Sequence, residues 1–183
     1  MWLNLDTIPY YIFIYRLGGH VVHVCEGYAK IHVGSIHVGE RIQEFLSIPR
    51  LARMATVENG KPHLVPVWYF YDEANIIVST PKGTKKTKNL QSNPNVSIII
   101  DVVDGRVGDL SNAANAKAVI IEGIAELRDD IDSLFARKTY ERYAGKNALN
   151  NPQVQFSINL PRHMVVIKPT KIMSWDFTKI KTS

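Results

Sequence analysis

The sequence contains a single cysteine, Cys25, among its 183 residues. One cysteine excludes a disulfide within the chain and is typical of a reducing compartment. Long apolar runs are also missing, since the most apolar stretch, residues 8–17 (IPYYIFIYRL), is interrupted by Arg16 and is too short for a transmembrane helix. That stretch lacks the basic start and small-residue cleavage site of a signal peptide, so the sequence predicts a soluble cytoplasmic protein without membrane contact.

Several signatures of catalysis and nucleotide binding are absent as well. The chain has no glycine-rich Rossmann fingerprint, no Walker loop and no nucleophile elbow. No catalytic dyad or triad stands out, so catalytic residues are left unassigned, and any chemistry is expected to come from a bound cofactor. The histidines and the cysteine of residues 20–37 lack paired-ligand spacings such as C-x2-C or H-x3-H, so no metal site is predicted.

Acidic residues are missing from one long segment, residues 74–100, within a chain of net charge +5. The segment contains PKGTKKTKNLQSNP (81–94), which places four lysines at the start of a predicted helix: Lys82, Lys85, Lys86 and Lys88. The helix dipole disfavours cations there, but an anion over the free N–H groups would reverse the balance. Thr84 is the predicted N-cap, and Ser79 and Thr80 end the preceding strand, so the pattern is consistent with a phosphate site.

Two other interpretations of the lysine segment stay open. A solvated basic helix face is at least as common as an anion site. Nucleic-acid binding is disfavoured, because the other basic residues are scattered among acids and no stacking aromatics are interleaved with them.

The remaining pattern predicts a mainly β protein. Asn59-Gly60 is typical of a two-residue hairpin turn, and Gly123 is consistent with a bulge in an apolar strand. Helices are predicted at 39–49 and 130–145, an irregular segment at 150–162, and two short final strands bent at Lys168-Pro169. The sum is an antiparallel barrel or sandwich with peripheral helices at 38–183, after an N-terminal extension at 1–37.

Two aromatic segments allow either a structural or a binding role. Pro66 within PHLVPVWYFY (62–71) cannot donate to a sheet, so this strand is predicted to be an edge or locally irregular. Its free backbone groups could face a planar polar ring, or the segment could be an aromatic-rich core strand. Trp175 could likewise pack in the core or cover a bound ring.

Taken in order, these elements resemble the pyridoxamine 5′-phosphate oxidase-like family of flavin-binding split barrels, in particular the branch with deazaflavin-dependent reductases. The resemblance covers roughly 38–177 and depends on the motifs EFL, R-x-A-x-M-A-T-V, NGKPH, P-V-W, K-T-K-N-L, NP-x-V and P-x-K-I-x-x-W-D. Lys88 departs from the arginine that relatives often carry, which replaces a bidentate phosphate contact with a point charge.

The resemblance implies an antiparallel split β-barrel homodimer with cofactor sites at the subunit interface. The expected cofactor is FMN, with the deazaflavin coenzyme F-420 as the alternative. The implied cofactor-binding residues are Val65, Pro66, Val67, Trp68, Ser79, Thr80, Lys85, Lys86, Lys88, Asn89 and Trp175. The implied activity is an oxidoreductase that transfers hydride to a small-molecule acceptor. Two alternatives stay open. The first is a flavin carrier or redox sensor without turnover, and the less favoured second is a basic nucleic-acid-binding barrel.

Overall fold

The computed structural model describes residues 29–33, 39–72, 74–103 and 116–176, with only the backbone of 29–33 and of Val103. These residues form eight strands: β1 (Ala29–Val33), β2 (Ala52–Glu58), β3 (Lys61–Val67), β4 (Phe70–Tyr71), β5 (Ile76–Pro81), β6 (Asn95–Val103), β7 (Ala116–Asp129) and β8 (Arg162–Asp176). The helices are α1 (Glu40–Ser47), α2 (Lys85–Ser92), α3 (Leu134–Ala144) and α4 (Pro152–Ile158), and short 3₁₀ turns at Ile131–Ser133 and Lys146–Asn150 flank α3.

The strands form one antiparallel sheet in the order β3-β2-β6-β7-β8-β5-β4. β1 pairs with the second half of β8, beyond the part of β8 that pairs with β5. Most inward side chains are aliphatic and buried, for example Met54, Ile98 and Ile167. The predicted mainly β architecture, a split barrel with helices at its periphery, is therefore confirmed.

The predicted hairpin at Asn59-Gly60 joins β2 to β3. Both residues have positive φ, 49° and 73°, as a type I′ turn requires. β3 lies at one edge of the sheet, and only β2 pairs with it among the described residues. An edge position tolerates Pro66, in agreement with the prediction from the sequence.

The final segment differs from its prediction, because β8 is one continuous strand of 15 residues and is not two bent strands. The irregularity lies instead in the pairing with β7, whose register shifts between Glu122 and Gly123. A Cβ at Gly123 would lie 2.5 Å from the carbonyl oxygen of Lys168. Glycine at this position therefore lets the two backbones approach closely. β8 continues through Pro169, which lies at the register shift opposite Gly123.

Residues 150–162 were predicted to be irregular, and this is also wrong, since they contain α4. The Asn151 side chain accepts a hydrogen bond of 2.8 Å from the backbone N–H of Gln153. Pro152 occupies the first helical turn, where its missing N–H costs nothing. This capping arrangement was visible in the sequence.

The predicted N-terminal extension ends in a segment that contains β1, which joins the sheet at β8. The histidine and cysteine side chains of residues 20–37 lie outside the side chains that the structure describes. The domain boundary after residue 37 stays a prediction. Of the helices in the described ranges, none has the length and apolar character needed to cross a membrane.

Candidate functional site

A surface pocket of about 180 Å³ lies where the end of β3, the end of β5 and the beginning of β8 meet α2 and α3. Its lining consists of Pro66, Val67, Trp68, Val78, Ser79, Thr80, Lys86, Ala136, Thr139, Tyr140 and Arg162. Six of these residues were named from the sequence as cofactor-binding candidates: Pro66, Val67, Trp68, Ser79, Thr80 and Lys86. The fold thus brings the irregular strand end and the lysine segment to one place.

The lysines of residues 82–88 do not act as a group. Lys86 lines the pocket and is half-buried. Burial, followed by the nearby Arg162 guanidinium, lowers the pKa of Lys86 below its ordinary value of 10.5. Lys85 and Lys88 are exposed, and the Lys82 ammonium pairs with an Asp129 carboxylate oxygen at 2.6 Å. Only Lys86 is therefore placed to contact a ligand in this pocket.

The start of α2 is organised by backbone contacts and a buried amide. Thr84 takes the predicted N-cap position, but its side chain makes no capping hydrogen bond. The Thr87 hydroxyl donates to the Thr84 carbonyl at 2.8 Å. Asn89 is fully buried, and its Nδ2 donates to the Thr56 hydroxyl at 3.0 Å. Asn89 thus attaches α2 to β2 and does not line the pocket.

Aromatic side chains of α3 hold the end of β3. The ring of Trp68 stacks on Tyr143, with centroids 4.9 Å apart, and meets Tyr140 edge-on at 5.4 Å. The Tyr143 hydroxyl donates to the Arg50 carbonyl at 2.8 Å and lies 3.3 Å from the Tyr69 N–H, which donates to it. These contacts replace strand pairing where β3 stops, and they fix the backbone beside the pocket.

Tyr69 supports this arrangement from inside the barrel. It is completely buried, and its hydroxyl donates to the carbonyls of Leu46 and Ile48, at 3.1 and 3.2 Å. Burial, with a smaller contribution from Tyr143, raises the pKa of Tyr69 well above its ordinary value of 10.0. The neutral hydroxyl therefore links the end of α1 to the segment that follows β3.

Arg162, the first residue of β8, was not identified from the sequence as a site residue. It is only 7% exposed and lines the pocket. Its Nε donates to the Ser79 hydroxyl at 2.8 Å, its Nη2 to the Ser79 carbonyl at 3.2 Å and its Nη1 to the Ser157 carbonyl at 2.9 Å. The available signal was weak, a lone arginine at the start of an apolar strand, and its partner lies 83 residues away.

Asp130, which precedes α3, was also not identified from the sequence as a site residue. Its carboxylate accepts hydrogen bonds from the N–H groups of Phe135 and Ala136, at 2.9 and 3.0 Å, which satisfies the start of α3. One of its oxygens also accepts from the Ser79 hydroxyl at 2.6 Å. Both the hydrogen and a lone pair of that hydroxyl are thus engaged within the protein, between Asp130 and Arg162.

Two other candidates from the sequence lie apart from the pocket in a single chain. Val65 is half-buried and packs against the barrel core. Trp175 is near the far end of β8, opposite Ala118 of β7 and Ala29 of β1, whereas Arg162 begins the same strand. At about 3.3 Å per residue, roughly 40 Å of strand separates the two ends.

Comparisons with known proteins agree with this fold. The profile of the pyridoxamine 5′-phosphate oxidase family matches residues 38–176. General stress protein 26 of Bacillus subtilis (strain 168) is 32% identical over 113 residues, which cover 62% of this chain and 78% of that protein.

Solved structures resemble the chain over most of its length. The conserved hypothetical protein Rv2991 from Mycobacterium tuberculosis is 29% identical, with a TM-score of 0.62, over 81% of this chain and 93% of that one. An F420 reductase shares the fold at 22% identity, with a TM-score of 0.58, over 74% of this chain and 98% of its own. The family profile spans most of the sequence, and the chain belongs to the pyridoxamine 5′-phosphate oxidase-like family.

Proposed function

We propose that the protein binds a flavin-type cofactor, FMN or a deazaflavin, and uses it as an oxidoreductase on a small-molecule acceptor. The observation that carries this proposal is the convergence of the β3 end at Trp68 with Thr80 and Lys86 in one pocket. A planar ring with polar edges needs backbone donors and acceptors beside it, and a phosphate needs a cation. The site offers both within one cavity.

The residues present fit such a group. β3 is an edge strand, so backbone groups on its outer side lack a strand partner within the described part of the chain and are available to a ring edge. The half-buried Lys86 is suited to the phosphate, because a partly desolvated ammonium gains more from an anion than an exposed one does. When bound, a flavin supplies hydride-transfer chemistry, while this chain positions it and limits its access to water.

Both forms of the cofactor are consistent with these features. A solved structure with this fold is an F420 reductase, so the architecture accommodates a deazaflavin in that protein. FMN remains our first choice, because Lys86 and Arg162 both border a pocket of only about 180 Å³, which suits a compact phosphate end.

We further propose a homodimer that completes each site. Small-molecule pockets typically measure about 300–1,000 Å³, so a cavity of about 180 Å³ is small for the whole cofactor. Trp175 lies too far along β8 to reach the pocket of its own chain, but a second copy could bring its Trp175 to the ring. Light scattering after size exclusion should give twice the chain mass of 20.7 kDa, and a monomer that binds flavin would contradict this.

The visible spectrum of the purified protein tests cofactor binding directly. We expect either co-purified flavin absorbance or saturable quenching when FMN or the deazaflavin is titrated separately. Absence of absorbance together with failure to bind both compounds would overturn the proposed function.

A flavin carrier or sensor without turnover is the second candidate. It is favoured by the pocket lining, which contains no histidine, aspartate, glutamate or cysteine among the described residues and leaves Lys86 and Tyr140 as the groups able to donate a proton. Multiple-turnover reoxidation of reduced cofactor by quinone or enone acceptors separates the two. Turnover above the rate of free cofactor supports an enzyme, and its absence supports a carrier.

A further inference from the structure

Trp68, which directly follows β3, lines the pocket and is 37% exposed. Single exposed apolar side chains are common on protein surfaces and need no special explanation. Trp68 differs from them, because its ring is held in a fixed orientation by two side chains of α3. The surroundings of this ring therefore indicate what it can bind.

Tyr143 supports one face of the indole. The centroids of the two rings are 4.9 Å apart, and their planes are only 10° from parallel. Tyr143 is itself fixed, because its hydroxyl donates to the Arg50 carbonyl at 2.8 Å and accepts from the Tyr69 N–H at 3.3 Å. The plane of the Trp68 ring is thus set by a tyrosine that is hydrogen-bonded to two backbone segments.

Tyr140 contacts the indole nearly at a right angle. Their ring centroids are 5.4 Å apart, and their planes differ by 85°. The Tyr140 hydroxyl donates to the Ser157 hydroxyl at 3.1 Å, which orients the Tyr140 ring from α4. An edge-on contact covers less of a ring than stacking does, so part of the indole stays open to the cavity that it lines.

A ring fixed in this way binds a flat ligand at low entropic cost, because it has little rotamer freedom left to lose. Phe156 of α4 provides the contrast. It is 71% exposed, and the ring contacts among the described residues do not involve it, so it offers apolar surface without a fixed plane. The orientation of Trp68 therefore favours stacking, whereas the surroundings of Phe156 do not.

The chemistry of the pocket limits the kind of flat ligand. The indole ring is electron-rich, and its negative face attracts an electron-poor ring. Lys86 and Arg162 line the same cavity, and the described residues of its lining include no acidic side chain. Both cations favour carbonyl oxygens and the negative charge that a hydride would add to them. An electron-poor ring with carbonyl oxygens, as in a quinone, meets both requirements.

We propose that Trp68 is the stacking platform for the hydride acceptor, and that this acceptor is a quinone-type ring in preference to an aliphatic enone. An aliphatic enone has a carbonyl oxygen but no extended flat ring, so it would gain little from the indole. The role of the ligand as acceptor rests on the proposed function, whereas its binding at Trp68 does not. The ring of a flavin is also flat and electron-poor, and the experiment distinguishes the two rings.

Duroquinone is the quinone used, because its ring is fully substituted and does not add to thiols or amines. Its binding to the wild-type protein and to Trp68→Leu is measured by equilibrium dialysis, with cyclohexenone as the enone. Phe156→Leu is the matched control, since it removes an exposed ring that does not line the pocket. We expect Trp68→Leu to weaken duroquinone binding at least tenfold, as loss of ring stacking does elsewhere, and cyclohexenone binding less than twofold. Phe156→Leu should change neither.

A spectroscopic signature separates direct stacking from a structural role. An indole stacked on a quinone gives a broad charge-transfer absorption at long wavelength. We expect this band in the wild-type protein, at lower intensity in Trp68→Phe and not at all in Trp68→Leu. If Trp68→Leu does not fold, Trp68→Phe decides, because a phenyl ring stacks but is less electron-rich. Absence of the band from the wild type, or an unchanged band in either variant, would overturn the proposal.

Flavin titrations of the same variants keep this inference apart from the proposed function. We expect FMN affinity to fall less than threefold in Trp68→Leu, because the backbone at the end of β3 is retained. A loss for FMN as large as the loss for duroquinone would assign the indole to the cofactor ring and overturn its role for the acceptor. If the wild type binds neither FMN nor the deazaflavin but binds duroquinone through Trp68, the proposed function fails while the quinone site stands.

Discussion

Arg162 and Ser79 are joined twice, from Nε to the hydroxyl at 2.8 Å and from Nη2 to the carbonyl at 3.2 Å. This pair attaches the first residue of β8 to the end of β5, and both residues line the pocket. Because the hydroxyl also donates to Asp130, the start of α3 is held in the same network. One hydrogen-bond network therefore fixes both the Arg162 guanidinium and the parts of β5 and α3 that line the pocket.

The first prediction is that Lys86 and Lys88 contribute differently to cofactor binding. Lys86→Gln should weaken FMN binding at least tenfold, or about 1.4 kcal/mol, because a charge-assisted contact with phosphate is lost. Lys88→Gln is the matched control, since it removes the same charge from an exposed position of the same helix, and it should change affinity less than twofold. Isothermal titration of both variants checks this, and equal losses would assign the effect to general electrostatics.

The second prediction concerns pH. The pKa of Lys86 is lowered from 10.5, so its ammonium loses its proton at lower pH than an ordinary lysine. The phosphate of FMN is already dianionic above neutral pH. FMN affinity should therefore decline as pH rises toward 10.5, and this decline should be absent in Lys86→Gln.

Riboflavin provides the control for this titration, because it shares the ring and lacks the phosphate. Its affinity measured over the same pH range should not follow the decline seen with FMN. Parallel pH profiles for the two compounds would mean that the ring or the fold titrates, and Lys86 does not.

The third prediction concerns Gly123. A Cβ there would lie 2.5 Å from the Lys168 carbonyl oxygen and 2.9 Å from an Ile167 methyl carbon. Gly123→Ala should lower the free energy of unfolding by about 1–3 kcal/mol, since two backbones must separate. Gly39→Ser, which adds a side chain in open space at the start of α1, should change it by less than about 0.5 kcal/mol. Urea denaturation of both variants measures the difference, and equal stabilities would contradict the close approach.

The fourth prediction concerns the alkaline limit of stability. The pKa of Tyr69 is raised in the folded protein, so above pH 10.0 the hydroxyl ionises more readily in the unfolded chain. Its contribution is fully present below pH 10.0 and is lost as pH rises further, at up to about 1.4 kcal/mol per pH unit.

Tyr69→Phe should remove this dependence. At neutral pH it should cost about 1–3 kcal/mol, because two buried carbonyls lose their donor, but its stability should fall less steeply above pH 10.0. Chemical denaturation at pH 7 and at several alkaline values gives both quantities. An unchanged alkaline slope would show that other groups control the alkaline transition.

Local signals were sufficient for much of the fold. Asn59 and Gly60 both tolerate positive φ, which is enough to predict their turn. The edge position of β3 follows from the missing N–H of Pro66. The continuity of β8 through Pro169 was not predictable in this way, because it depends on a glycine in the neighbouring strand. The helix α4 was predictable from Asn151-Pro152, but the following polar residues obscured it.

The candidate site was predictable only where its residues are neighbours in sequence. Lys86, Ser79 and Thr80 lie in one segment, so a strand end and a helix start implied their proximity. Arg162 reaches the pocket through sheet pairing with Pro81, and no local pattern encodes that pairing. The sequence also suggested that the clustered lysines act together, whereas the rotation of α2 directs only Lys86 into the cavity.

The edge strand β3 has one further consequence, for the behaviour of the protein in concentrated solution. An unpaired strand edge can recruit another strand and begin aggregation. β3 contains two prolines, Pro62 and Pro66, which lie four residues apart and therefore have the same orientation in the strand. Neither has a backbone N–H, so neither can donate a hydrogen bond. Another strand could not form a continuous ladder along this edge, so β3 is a poor template for fibrils.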